Sequence, residues 1–223
     1  MATMTKNDLT TIAATLGTPA TGAYVRVGMS SCGIAAGAKA VYDYFKREAA
    51  ARHPGIAVQQ CGCNGQCHAE PIVEVCVRGQ APVVYGHVTE AVAARIVDEH
   101  LGEGRVLKGQ ALADIPGQMR IVMRNCGVID PEHVDDYLTA GGYQGLGRCL
   151  FDLTPEGVID EMKKSGLRGR GGAGYPAYLK WTLARKSFGE EKFVICNGDE
   201  GDPGAYMDRS ILEGDPQAVI EGM

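Results

Sequence analysis

Three of the eight cysteines stand at spacings that can hold a metal. Cys63 and Cys67 are separated by three residues in the run CGCNGQC, and Cys32 follows an earlier apolar run. Thiolates from two loops at one end of a sheet can converge on one centre, and Gly65 lets backbone N–H groups turn toward the sulfurs. Three readings stay open. The close glycines and three cysteines favour a 2Fe–2S cluster, a tetrahedral zinc site would use the same thiolates, and small buried side chains are the third. Cys76, alternating with Val75 and Val77, reads as core, and the scattered Cys126, Cys149 and Cys196 read as small buried hydrophobes.

A second chemistry lies further along, in GLRGRGGAGYPAYLKW (166–181). Gly169, Gly171 and Gly174 form G-x-G-x-x-G, yet the motif follows the helical pattern EGVIDEMKKSG rather than a strand, so the dinucleotide fingerprint fails its context. Glycines without Cβ still let the main chain lie against a flat or phosphorylated ligand. Arg168, Arg170 and Lys180 supply cations, and a helix beginning near Leu179 can turn its positive end toward the same group. A flexible surface loop is the plain alternative, which Tyr175 and Trp181 weigh against. The third tract, CNGDEGDPGAYMDR (196–209), crowds Asn197, Asp199, Glu200 and Asp202 into a turn. Such acceptors suit sugar or ribityl hydroxyls and a carboxamide. A hard cation is the alternative, although the spacing does not match a calcium loop.

The elements that must position these tracts follow from periodicity. Residues 5–16 predict a short helix, 23–29 a strand, and 36–52 a helix with Ala40, Val41, Tyr44 and Phe45 on one face. Strands are predicted at 56–60, 71–77 and 82–86, with the turn RGQA before the last, and an amphipathic helix at 89–101. Residues 103–118 read as a linker and 120–127 as an extended run. A helix is expected from Pro131, and another from an N-cap at Thr154 through Lys164. Helix is then expected over 179–185, strand over 192–197, and helix from Asp208. No internal repeat or low-complexity tract is visible.

The composition, 45% hydrophobic and 22% charged with net charge −5, is that of an ordinary globular chain. A mildly acidic surface argues against nonspecific nucleic-acid binding, and no apolar run approaches the roughly 20 residues of a membrane span. The opening MATMTKNDLTTIAATLG lacks the layout of a secretory signal. A cytoplasmic location is expected, or a peripheral one on the cytoplasmic side of a membrane through partner subunits, without direct insertion. Eight cysteines in that reducing setting favour metal or redox chemistry over disulfides.

The segments VGMSSCGIAAGAKAVYDYF and QQCGCNGQCHAEPIVEV resemble the thioredoxin-like 2Fe–2S ferredoxin domain appended to flavoprotein subunits of hydrogenases and related NAD-linked oxidoreductases. The usual pattern there is C-x4-C followed by C-x3-C. Cys32, Cys63 and Cys67 match three of its ligands, while the first position falls on Val27, which cannot ligate; Cys61 is the nearest substitute. The runs RIVMRNCG, IDPEHVDDYLTAGGY, TPEGVIDEMKKSGLRGRGGAGYPAYLKW and VICNGDEGDPGAYMDRSILEGDP resemble the start of the FMN- and NADH-binding subunit of respiratory complex I and its hydrogenase and diaphorase relatives. Together the resemblances cover about 200 residues.

The resemblance implies an α/β (α+β) chain. It would comprise a helical segment (1–20), a thioredoxin-like 2Fe–2S domain (21–104), a linker (105–118) and the first part of an α/β FMN/NADH-binding domain (119–223). It implies that Gly169, Arg170, Gly171, Lys180, Asn197, Asp199 and Glu200 contact FMN, and that Gly172, Tyr175 and Asp202 lie on the NAD(H) side. Tyr175 replaces a usual Phe, and Ala177 and Tyr178 replace a usual Thr and Gly, which alters the pocket's shape. The implied activity is NADH oxidation through FMN to iron–sulfur centres, then onward to ferredoxin-like, hydrogenase or quinone-module subunits. A non-catalytic electron-transfer or docking module is the alternative. A 4Fe–4S motif and the remaining nucleotide contacts are expected beyond Met223, so this stretch alone is expected to bind FMN weakly.

Overall fold

Alternating valines build the sheet. The computed structural model describes residues 5–16, 22–113, 117–189 and 191–223. In it, β1 (Tyr24–Gly28) buries Val25 and Val27, and β3 (Val73–Cys76) buries Val73 and Val75 on the same core. With β2 (Ala57–Cys61) and β4 (Val83–Tyr85) they form one sheet in the order β2-β1-β3-β4. β1 and β2 are parallel, whereas β3 runs antiparallel to β1 and β4 antiparallel to β3. A parallel pair needs a crossover. Here it is α2 (Ser31–Ala35) and α3 (Ala38–Arg52), and α3 turns Ala38, Val41, Phe45 and Ala49 onto the sheet at helical spacing. The Thr89 hydroxyl caps α4 (Glu90–Arg95), which continues as a wider π-helical turn over Ile96–Gly102 and buries Ile96, Val97 and His100. This β-α-β-β-α order is the thioredoxin-like arrangement.

The stretch expected as a linker is partly docked. Leu112 N–H bonds Val84 O at 2.8 Å and Leu107 is buried, so residues 107–112 cover the open edge of β4. Residues 1–4 and 17–20 of the expected N-terminal segment, and 114–116 of the expected linker, lie outside the described residues.

The rest of the described chain is helical. α1 (Lys6–Leu16) packs on α5 (Val134–Thr139) and α6 (Gln144–Phe151) rather than on the sheet. α7 (Pro155–Ser165) starts at the Thr154 cap, with Thr154 Oγ1 accepting from Gly157 N–H at 3.1 Å, and forms a hairpin with α8 (Ala177–Lys186). α9 (Met207–Gly214) and α10 (Pro216–Gly222) close the chain. The Glu221 carboxylate ties α10 to α5 and α6, accepting from Tyr143 N–H (2.8 Å), Leu146 N–H (3.0 Å) and the Tyr137 hydroxyl.

Several expected elements differ. Residues 120–127 form turns and 192–197 run as exposed chain, because among the described residues no strand lies beside them to complete a ladder. The helix expected from Pro131 begins only at Val134. Cys76 is half-buried on the face opposite Val73 and Val75, Cys149 is half-buried and Cys196 is exposed, so none of the three is core; Cys126 is buried.

Candidate functional site

Cys32 lies in the first turn of α2, not in a loop, and Cys63 and Cys67 flank a tight turn after β2. The sequence thus carries its thiols on both crossovers at one end of the sheet. The three Sγ atoms lie within 4.8 Å of one another, and Cys63 and Cys67 Sγ are 3.4 Å apart. Gly65, at φ +89°, turns its N–H toward Cys63 Sγ at 3.2 Å, and Cys63 N–H donates to the buried Ser30 hydroxyl at 2.6 Å. Burial pushes the Cys32 thiol up to about 11 and the Cys63 thiol up further. Thiolates there therefore need a compensating positive charge, which a bound metal or cluster provides. In chemistry and spacing, this donor set fits a cluster or metal.

Cys61 stays apart from that group. It ends β2, is buried, and directs Sγ toward Val27 O at 3.6 Å. Burial raises its thiol to about 12. Val27 sits in the hydrophobic core. One buried acid does reach the thiols, and sequence reading missed it. Glu70 Oε1 accepts from Cys32 Sγ at 3.7 Å, and Oε2 accepts from Ile72 N–H at 2.8 Å. Burial raises its carboxyl above the ordinary range. The signal was the acid in HAEPIVEV, directly before a strand and three residues past Cys67.

The glycine tract joins α7 to α8. Gly169 N–H bonds Tyr175 O at 2.8 Å, Ala177 N–H bonds Leu167 O at 3.0 Å, and Arg168 Nη1 holds Gly174 O at 3.0 Å. The result is a small closed loop whose Arg170, Gly171, Gly172 and Lys180 are exposed and whose Tyr175 is largely so. In the acidic corner, Asn197 Oδ1 accepts from Asp199 N–H, and Asp202 is exposed. Glu200 caps α9, accepting from Asp208 N–H (2.8 Å) and Arg209 N–H (3.0 Å). Against some desolvation, these N–H bonds hold its carboxyl below the usual range. Among the described residues no hydrogen bond or ion pair joins tract to corner. Each is held by its own local hydrogen bonds.

The other end of α9 meets the cysteines. Glu213 accepts from Ser31 N–H (2.9 Å) and from the Ser31 hydroxyl (2.6 Å), immediately before Cys32. Gly62, immediately before Cys63, lies so near Gly214 that a Cβ there would sit 2.3 Å from Gly214 Cα. Gln60 adds bonds to Asp130 and Glu132 across the same seam.

A sheet-and-helix unit presenting three converging thiols is thus seamed to a helical segment that carries a glycine tract and an acidic corner. Residues 162–223 match the family model described as the Nuo51 FMN-binding domain. It is 54% identical over 106 residues to the NADP-reducing hydrogenase subunit HndC of Solidesulfovibrio fructosivorans, covering 48% of this chain and 21% of that one. It is 50% identical over 90 residues to an NADH-quinone oxidoreductase subunit of Aquifex aeolicus, covering 40% and 21%. The chain thus spans about a fifth of the length of these relatives. Among solved structures, the thioredoxin-like [2Fe-2S] ferredoxin of Aquifex aeolicus matches with TM-score 0.38 and 19% identity over 42% of this chain and 98% of that one. An NAD+-reducing [NiFe]-hydrogenase chain matches with TM-score 0.38 and 21% identity over 97% and 38%. No helix among the described residues is long and apolar enough to cross a membrane.

Proposed function

We propose that this chain is the cluster-bearing end and one wall of the flavin site of an NADH-oxidising, multi-subunit oxidoreductase. In such an enzyme the redox chemistry belongs to the cofactors, and the protein supplies binding, orientation and electrostatics. On this reading Cys32, Cys63 and Cys67 hold a 2Fe–2S centre. Gly169, Arg170, Gly171, Lys180, Asn197, Asp199 and Glu200 face FMN, with Gly172, Tyr175 and Asp202 toward NADH. Partner subunits of the ferredoxin-like, hydrogenase or quinone-module kind receive the electrons, on the cytoplasmic side of a membrane where the acceptor is a quinone.

The observation that carries the reading is the role of α9. Its first turn is capped by Glu200 of the acidic corner, and its last turn touches Ser31 and Gly62 beside the thiols. At 1.5 Å per residue, Asp208 to Gly214 spans about 9 Å, so one rigid helix sets the separation of the two sites at electron-transfer scale.

The test is anaerobic reconstitution of the 223-residue chain with iron and sulfide, followed by metal and sulfide analysis, dithionite EPR and FMN titration. Two irons and two sulfides per chain with weak flavin binding are expected. A single zinc, or no metal, would sink the cluster assignment, and tight stoichiometric FMN would contradict the open flavin wall.

A further inference from the structure

Three thiols leave a two-iron centre one protein ligand short, and the structure places one candidate beside them. Two irons with four protein ligands take them as two pairs. Cys63 and Cys67 form one, with sulfurs 3.4 Å apart. The partner of Cys32 is missing from the sequence pattern, because Val27 is packed in the core and Cys61 points at Val27 O. We propose that the Glu70 carboxylate is the fourth ligand, completing the pair with Cys32 through Oε1.

The geometry supports this in three ways. Metal–ligand lengths of about 2.3 Å for thiolate and about 2.0–2.2 Å for carboxylate, at a tetrahedral angle, put ligand S and O about 3.5–3.7 Å apart; Glu70 Oε1 and Cys32 Sγ are 3.7 Å apart. Glu70 lies outside the compact three-sulfur group and meets it at Cys32, the thiol left without a pair. Finally, the carboxylate is held in place. It is only 7% exposed, Oε2 is anchored by Ile72 N–H, and it lies in a notch lined by two glycines. A Cβ on Gly33 would come within 3.1 Å of Oε2, and one on Gly28 within 3.4 Å of both oxygens. Among the described residues Glu70 makes no ion pair with a lysine, arginine or histidine. A buried carboxylate without a counter-charge is costly, and a cationic centre beside Cys32 removes that cost.

The inference rests on the cluster reading above, so the experiment separates the two. Wild type, Glu70→Gln and Glu70→Cys forms of the 223-residue chain are reconstituted anaerobically with iron and sulfide, desalted and analysed for both. Visible absorption and reduced-state EPR are recorded, with circular dichroism as the folding control. Gln keeps the shape and the acceptor for Ile72 N–H but removes the anionic ligand, so retained iron should fall tenfold or more. Cys restores four thiolates, so iron should return with stronger thiolate-to-iron absorption and shifted g-values. If Glu70→Gln does not fold, Glu70→Cys decides alone: an altered spectrum supports ligation and an unchanged one overturns it. A Glu70→Gln protein with wild-type iron content and EPR overturns the ligand assignment while leaving the cluster. A wild-type chain that takes up no iron and sulfide overturns both.

Discussion

Phe45 and Phe193 are the same side chain in opposite surroundings. Phe45 is fully buried between α3 and the sheet, whereas Phe193 is 80% exposed on the chain leading into the acidic corner. The contrast extends to whole regions. Residues 22–112 close a sheet under two helices, with Val25, Val73, Val75, Tyr85 and Ile96 all sealed from solvent. Residues 117–223 leave Phe188, Val194 and Ile195 open, and the helices there surround an apolar hollow of about 620 Å³ lined by Leu150, Val158, Trp181 and Val194. A closed core preorganises the thiols, because each sits on a crossover fixed by packed strands. The glycine tract and the acidic corner are fixed locally, by loop and cap hydrogen bonds.

The largest effect should therefore come from breaking the closed region. Phe45→Ala should cost about 3–5 kcal/mol, the transfer term plus a cavity. Phe193→Ala should fall within about 0.5 kcal/mol of wild type, as a surface change does. Urea titrations of the 223-residue chain measure both, and similar losses would erase the distinction between the regions. Next comes the helical region beside the seam. Asp215 is buried, accepts from Asn125 Nδ2 at 2.8 Å, and caps α10 through Ala218 N–H. Asp215→Ala removes a cap and strands the buried Asn125 amide, costing about 2–3 kcal/mol. The sole tryptophan, Trp181, reports the second region, while thiol labelling of buried Cys61 reports the first. Asp215→Ala should pull those two transitions apart, and transitions that stay coincident would show that Asp215 is not what couples the regions.

The closed region was largely legible. Period-two valines gave β1 and β3, and Val41 and Phe45 of the face expected in the 36–52 helix are buried in α3, whereas Ala40 is exposed and the buried face is completed by Ala38 and Ala49 instead. The Thr154 cap and Pro155 marked α7 to within a residue. Sequence failed where pairing decides. FVIC at 193–196 has the apolar β-branched composition of a strand, but composition cannot supply the adjacent strand a ladder requires. The convergence of Cys32 with Cys63 and Cys67 was legible from spacing. Glu70 was not, because a lone acid before a strand looks like a surface residue until burial is known.

The smallest effect is one of pH, and it should act first on the closed region. His100 is buried, its Nδ1 lies 2.8 Å from the Tyr85 hydroxyl, and Nε2 has no hydrogen-bond partner among the described residues. Burial lowers its pKa below 6.5. The unfolded chain therefore takes the proton first as pH falls. Stability from neutral His100 is complete above pH 6.5 and is lost as pH drops from there through the lower folded value. In the helical region, Glu221 is desolvated but held below 4.5 overall by the Tyr137, Tyr143 and Leu146 donors. Its contribution is present above 4.5 and lost only as pH falls through its folded value. His133, raised by Asp130, works in the opposite direction, favouring the fold on acidification from neutral pH. Between about pH 6.5 and 5, then, the sheet should soften while the helices hold. Amide exchange in β1 and β3, corrected for intrinsic rates, should accelerate against that in α5 and α6, and His100→Gln should flatten the difference. Exchange that accelerates first in α5 and α6, or a slope unchanged in His100→Gln, would mean that this histidine does not set the acid limit of the closed region.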